Sequence, residues 1–176
     1  MHRNHAYALP ATVLALVLAM GGGAVGDDDD ELEFEARLSG RAEVPRVVTE
    51  TSGRAEIEFS EDLSTAEFVL RVSDGFRVTQ AHIHCAPKGL NGPVVAFLAG
   101  FHNLGWDVDG KWIDNATLTD DNIVLGATPS PTCPHTIATL ADLAEAIPDG
   151  DAYVNVHSVL NPAGEVRGQL EPDRDD

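Results

Sequence analysis

An all-β fold, an antiparallel Greek-key β-sandwich or barrel with one short helix, follows from three features of the sequence. Apolar and polar residues alternate in several short runs, Gly/Pro/Asn/Asp turns separate those runs, and one stretch carries a helical stripe. Strands of this kind bury one face and solvate the other, as antiparallel sheets do when folded over a single core.

Residues 1–26 stand outside the pattern. Arg3 precedes an almost wholly apolar run, Ala11 to Met20, and Gly21 to Gly26 is rich in small residues. This is the make-up of a secretory signal peptide with cleavage before Asp27, and its apolar run is shorter than the roughly 20 residues of a membrane span. The mature chain is therefore expected to be secreted or extracytoplasmic, with no membrane span. One domain, residues 32–170, lies between acidic tails at 27–31 and 171–176.

The first strand is read at Leu32 to Leu38, where Leu32, Phe34, Ala36 and Leu38 face one way and Glu33, Glu35 and Arg37 the other. Gly40 and Pro45 place residues 39–52 in a loop or along an edge. Ala55, Ile57 and Phe59 alternate with Arg54, Glu56 and Glu58; beyond the turn at Ser60 to Asp62, Ala66, Phe68, Leu70 and Val72 repeat the pattern, which predicts a hairpin. Residues 77–85 and 94–98 are further strands, 101–110 a loop and 112–118 a strand. Thr136 to Ile147 puts Ile137, Leu140, Ala141 and Ala144 on one stripe, and Pro148-Asp149-Gly150 ends this helix. Residues 152–158 and 164–170 close the chain as a second hairpin.

With 29 acidic against 11 basic residues, and Lys88 and Lys111 the two lysines, the chain is unsuited to nucleic acid. The acidity reads as surface solvation. No serine-histidine-aspartate elbow, phosphate-cradling glycine loop or zinc-protease helix is present, so hydrolase and nucleotide-dependent readings find no support. In an exported chain the two cysteines, Cys85 and Cys133, are expected to form a disulfide. Such a bridge would carry His135, two residues after Cys133, towards His84.

The strand Ala81-His82-Ile83-His84-Cys85 places His82 and His84 on one face, opposite Ala81, Ile83 and Cys85. In Tyr153-Val154-Asn155-Val156-His157, the residues Tyr153, Asn155 and His157 share a face opposite Val154 and Val156. Three imidazoles, His82, His84 and His157, are thus candidate metal ligands on the outer face of the sheet, with His135 as a fourth and His102 as a weaker one. Neutral imidazole suits copper, zinc, iron and nickel, and spacing alone does not choose among them. The alternative use of these histidines is hydrogen bonding to a turn. Asn155, Glu165 and Arg167 are supporting residues on the same face, and their alternative use is a cross-strand ion pair or a loop clamp. Phe101, Trp106 and Trp112 read as core or rim packing, and Asn115-Ala116-Thr117 fits a glycosylation sequon.

Three segments together resemble the CHRD domain, a module named after chordin that also occurs in exported microbial proteins. They are Leu38-Ser39-Gly40-Arg41-Ala42-Glu43-Val44-Pro45; Ala81-His82-Ile83-His84 with Asn91-Gly92-Pro93-Val94-Val95; and Tyr153 to His157 continuing through Asn161-Pro162-Ala163-Gly164-Glu165-Val166-Arg167-Gly168-Gln169-Leu170. The resemblance spans essentially all of residues 32–170. A looser resemblance is to copper-zinc superoxide dismutase, a Greek-key sandwich with a His-x-His pair and a distant histidine at its copper. It implies His82, His84 and His157 as copper ligands and Arg167 as a catalytic residue drawing in a small anionic substrate such as superoxide. No cluster matches that family's zinc site, so a copper-only centre is implied, with zinc as the alternative metal. A non-catalytic extracellular binding or structural module is the competing function.

Overall fold

The computed structural model describes residues 32–124 and 130–173. The expected signal peptide and the tail at 27–31 lie outside the described residues. Eight strands and one α-helix follow in order: β1 (Glu33–Ser39), β2 (Ser52–Phe59), β3 (Ala66–Cys85), β4 (Val94–Ala99), β5 (Trp106–Leu118), α1 (Leu140–Ala146), β6 (Ala152–Ser158), β7 (Val166–Gln169) and β8 (Glu171–Pro172). Of the two architectures open in the sequence, the barrel is found. β1, β2, β3, β6 and β7 pair antiparallel in a ring, closed where Ser39 of β1 meets Arg167 of β7. β4 and β5 add to β3, and β8 adds to β1.

β3 makes closure work. Its first half pairs with β2 and β5, its second with β6 and β4. Between them the register against β5 slips at Val72/Gly75 and again at Gly75/Val78, and Asp74 and Arg77 take φ of +53° and +50°. Bulges of this kind bend a strand and increase its twist, so one strand serves both sides of the barrel. The alternation breaks over the same residues, which is why the sequence reads there as two strands.

Other boundaries move for identifiable reasons. β5 begins at Trp106, inside the expected loop, because Val78 and Gly75 of the bulged region give Trp106 and Val108 their partners. The helix starts at Leu140 rather than Thr136: Thr139 stays extended and caps it, its hydroxyl accepting from the Asp142 amide while the Asp142 carboxylate accepts from the Thr139 amide. Glu171–Pro172, expected in the acidic tail, pair with Glu35 and Phe34.

The expected alternation sorts side chains well. Phe34, Ile57, Phe68, Leu70, Ile83, Val154 and Val156 fill the barrel, and Leu140, Leu143 and Ile147 of the helical segment join the same core. Each large aliphatic or aromatic side chain buried this way contributes about 1.5–3 kcal/mol. Cys85 lies on this inner face and forms the disulfide with Cys133, Cα to Cα 5.2 Å. No helix among the described residues is long and apolar enough to cross a membrane.

Candidate metal centre

The face of β3 and β6 turned away from the core carries the histidines. His82 lies opposite Asn155 and His84 opposite Tyr153, while His157 lies opposite Gln80. A bulge against β4 on each side of the pair 82–83 re-aims the two β3 imidazoles. One nitrogen of each of His82, His84 and His157 lies within 4.8 Å of those of the other two, and His82 Nδ1 is 3.1 Å from His157 Nε2.

This face is covered rather than open. His82 and His157 are each 5 % exposed: the Phe97 ring packs edge-on against His82, while the loops carrying Glu43, Gly92 and Pro162 reach Asn155, His84 and His157. The imidazoles lie on the face opposite the core, with His82 and His157 buried and His84 half-buried. Two of the loops also set the tautomers. His84 Nδ1 lies 3.0 Å from the Gly92 carbonyl and His157 Nδ1 3.1 Å from that of Pro162, so each Nδ1–H donates and each Nε2 keeps its lone pair. The Nε2 atoms of His82 and His84 are buried with no protein partner. Buried polar atoms are rarely left unmatched, and three imidazoles with nitrogens within 4.8 Å of one another are a donor set that a transition metal takes up. The residues fit such an ion.

His135 does not join the group. Its Nε2 lies 3.0 Å from Asp151 Oδ2. The reason is the strand alternation itself: Cys85 points into the core, opposite His84, so the disulfide draws the Cys133 segment to the wrong side of β3. His102 stacks on Trp106, with ring centroids 4.2 Å apart, and also stands outside the group. Trp106 and Phe101 are exposed rim residues.

The CHRD domain matches residues 34–170 of the chain. The protein belongs to the CHRD family. No curated protein and no solved structure matches it. In this CHRD domain the three segments that carried the resemblance surround one site: the first supplies Glu43, the second His82, His84 and the Gly92 loop, the third His157 and Arg167.

Arg167 is 2 % exposed and lies across the Tyr153 ring, its guanidinium carbon 3.4 Å from the centroid, while Tyr153 stacks on His84 at 4.9 Å. The guanidinium donates to the Leu90 carbonyl at 2.7 Å, to Asn91 Oδ1 at 3.3 Å and to the Pro87 carbonyl at 3.4 Å. Of the two uses open in the sequence, the geometry is that of a loop clamp. Glu165 is a second clamp: it accepts from Thr49, from Ser158 at 2.7 Å and from Asn161 at 2.5 Å, tying down the loop whose Pro162 carbonyl orients His157. Burial alone would push the Glu165 carboxyl up, but those donors together bring it below its ordinary value.

Glu43 and Tyr153 are the site residues that pattern reading missed. Tyr153 shares the parity of Asn155 and His157, and Glu43 lies inside the first CHRD segment, so both had a signal. Asn155 donates to Glu43 Oε1 at 2.5 Å and to the Val166 carbonyl at 3.1 Å. Gly164, at φ +145°, lets the Glu43 carboxylate in; a Cβ there would lie 2.7 Å from its oxygens. Gly92 is required for a similar reason, since a Cβ would overlap the Cys85 carbonyl.

Burial pushes the His82 imidazole down to about 4, with neighbouring His157 and His84 adding to the shift. Burial likewise brings His84 to about 4, helped by His157 and Arg167, and it lowers His157. All three are therefore neutral at pH 7 and able to donate lone pairs. Glu43 goes the other way, raised by burial to about 7 against the lowering effects of Asn155 and Arg167. In the metal-free protein the unfolded histidines take protons that the folded ones refuse, so their contribution to stability is present above pH 6.5 and lost as pH falls towards 4. The contribution of protonated Glu43 is present below pH 4.5 and lost as pH rises through about 7. Glu43→Gln, which keeps the acceptor for Asn155, should gain in urea midpoint relative to wild type between pH 5 and pH 8. A difference independent of pH would refute the raised carboxyl.

Proposed function

We propose that this CHRD-domain protein is exported and that His82, His84 and His157 hold a copper ion with a coordination position left free for a small ligand. The observation that carries the reading is the set of three neutral imidazoles, two of them oriented through Nδ1 by backbone carbonyls, around buried nitrogens that lack a protein partner. For nitrogen ligands copper(II) stands at the top of the divalent affinity order, above zinc, the alternative occupant. The disulfide suits an oxidising compartment outside the cytoplasm.

Copper in such a site supplies one-electron exchange, and superoxide dismutation is the reaction to test first. The chain's own contribution is to hold three ligands at fixed positions, to keep bulk water away from them, and to set the local field. Arg167 reaches His84 electrostatically through the Tyr153 layer, so its charge offsets part of the field of the acidic surface at the site without meeting solvent. It acts at a distance, not as a surface guide for the anion.

The purified mature protein should contain or take up one copper ion per chain, measured by elemental analysis and competition with a chelator. Alanine at any one of the three histidines should lower affinity by at least about 100-fold, beyond the about 10–100-fold typical of an orienting partner. Equal copper uptake by wild type and the triple alanine variant would end the metal reading. Copper-loaded protein that dismutates superoxide no faster than free copper would leave a non-catalytic binding module.

A further inference from the structure

Two rings other than histidine pack on the triad. Tyr153 is 3 % exposed and held on both faces, by His84 on one and Arg167 on the other. Phe97 differs. It is the β4 partner of His82, its ring meets the His82 ring edge-on at 5.0 Å, and it is 50 % exposed. His82 beneath it has 5 % of its surface exposed and an Nε2 atom with no partner. The pairing sits among bulges in the β3–β4 ladder, where side chains are re-aimed.

An apolar side chain that is half in water, on a strand added outside the closed ring, gains little from the core. Its contact with His82 is what its position provides. A ring in that place keeps water from a dry nitrogen cluster while remaining free to turn aside, since rotamer changes of exposed side chains are fast. We infer that Phe97 is the gate of the three-histidine site and determines its specificity, admitting ligands of two or three atoms and refusing larger ones. The inference rests on the metal reading above and adds the size class of what reaches the ion.

The test compares wild type with Phe97→Ala, both loaded with copper(II), by titrating azide and, separately, imidazole at pH 8 and following the copper absorption and spin-resonance spectra. Wild type should bind azide and exclude imidazole. The variant should bind imidazole at least about tenfold more tightly than wild type, the scale on which a filled pocket rejects one extra group, with a smaller change for azide. Imidazole affinities within twofold of each other would overturn the gate. Diethylpyrocarbonate labelling of the metal-free proteins, mapped by mass spectrometry, gives a readout that needs no metal: His82 should react about tenfold faster in the variant, as local protection is lost. Equal labelling rates would also overturn it. Wild type that takes up no copper removes the metal reading by itself, and the labelling rates then decide whether Phe97 shields His82. If Phe97→Ala does not fold, Phe97→Leu enters the same assays and should shift both readouts in the same direction by less.

Discussion

Arg167→Ala should destabilise the metal-free protein by about 4 kcal/mol, seen as a lower urea midpoint with an unchanged slope. Hydrogen bonds from a charged donor each contribute about 1.5–3 kcal/mol, and a cation lying on an aromatic face up to about 2, although such values do not simply add. Removing the guanidinium leaves the Leu90 carbonyl and Asn91 Oδ1 without their donor, leaves the Pro87 carbonyl with the Leu90 amide alone, and uncovers Tyr153. Arg167→Lys should recover little, because an ammonium can neither fork to several acceptors nor lie flat on the ring. The same variants should weaken copper binding by about 10–100-fold, since the loop that carries Gly92 also orients His84. A stability loss below about 1 kcal/mol would show that the loop is held by something else.

Breaking the Cys85–Cys133 disulfide should cost a similar amount. The bridge closes a loop with a sequence separation of 48, for which the chain-entropy estimate is about 4 kcal/mol. Both cysteines are buried, so reduction under native conditions should be slow and should follow unfolding, and the reduced protein should melt well below the oxidised one. His82 and His84 share β3 with Cys85, yet the loss should leave copper affinity far less affected than loss of Arg167, because the bridge lies on the core side. Equal melting temperatures with and without reductant, with thiols verified by alkylation, would contradict this.

Most of the barrel was legible because its strands have one wet and one dry face. Period-two alternation located β1, β2, β6 and the histidine end of β3, and the same parity put His82, His84 and His157 on one side. What alternation cannot express is a strand that bends. Asp74 to Arg77 reads as a break in sequence and is a bulge in space, and the start of β5, where Trp106 and Val108 take their partners from that bulge, lost its signal with it, while residues 112–118 kept theirs. Loop burial was legible in part: the Gly/Pro-rich run with Gly92 follows the His-x-His pair directly, but nothing local in Glu43 or Pro162 says that they pack at the site, since that depends on contacts between residues as far apart as Asn155 and Glu43. His135 shows the limit of reasoning from one covalent link. A disulfide brings a neighbour close, but which side of the strand it reaches depends on the face the cysteine occupies.

The span of β3 and β6 along the chain also sets a timetable. His82 and His157 are 75 positions apart, and the ring of strands closes through β7, nearly the last element made. A chain emerging from its N-terminus exposes a His-x-His pair long before the third imidazole exists, and two imidazoles on an unclosed strand hold a metal far less well than three fixed ones. Pairings between distant segments form late and slowly. On the proposed metal reading, ion capture would follow completion of the barrel, and occupancy of the site would be a tally of finished molecules.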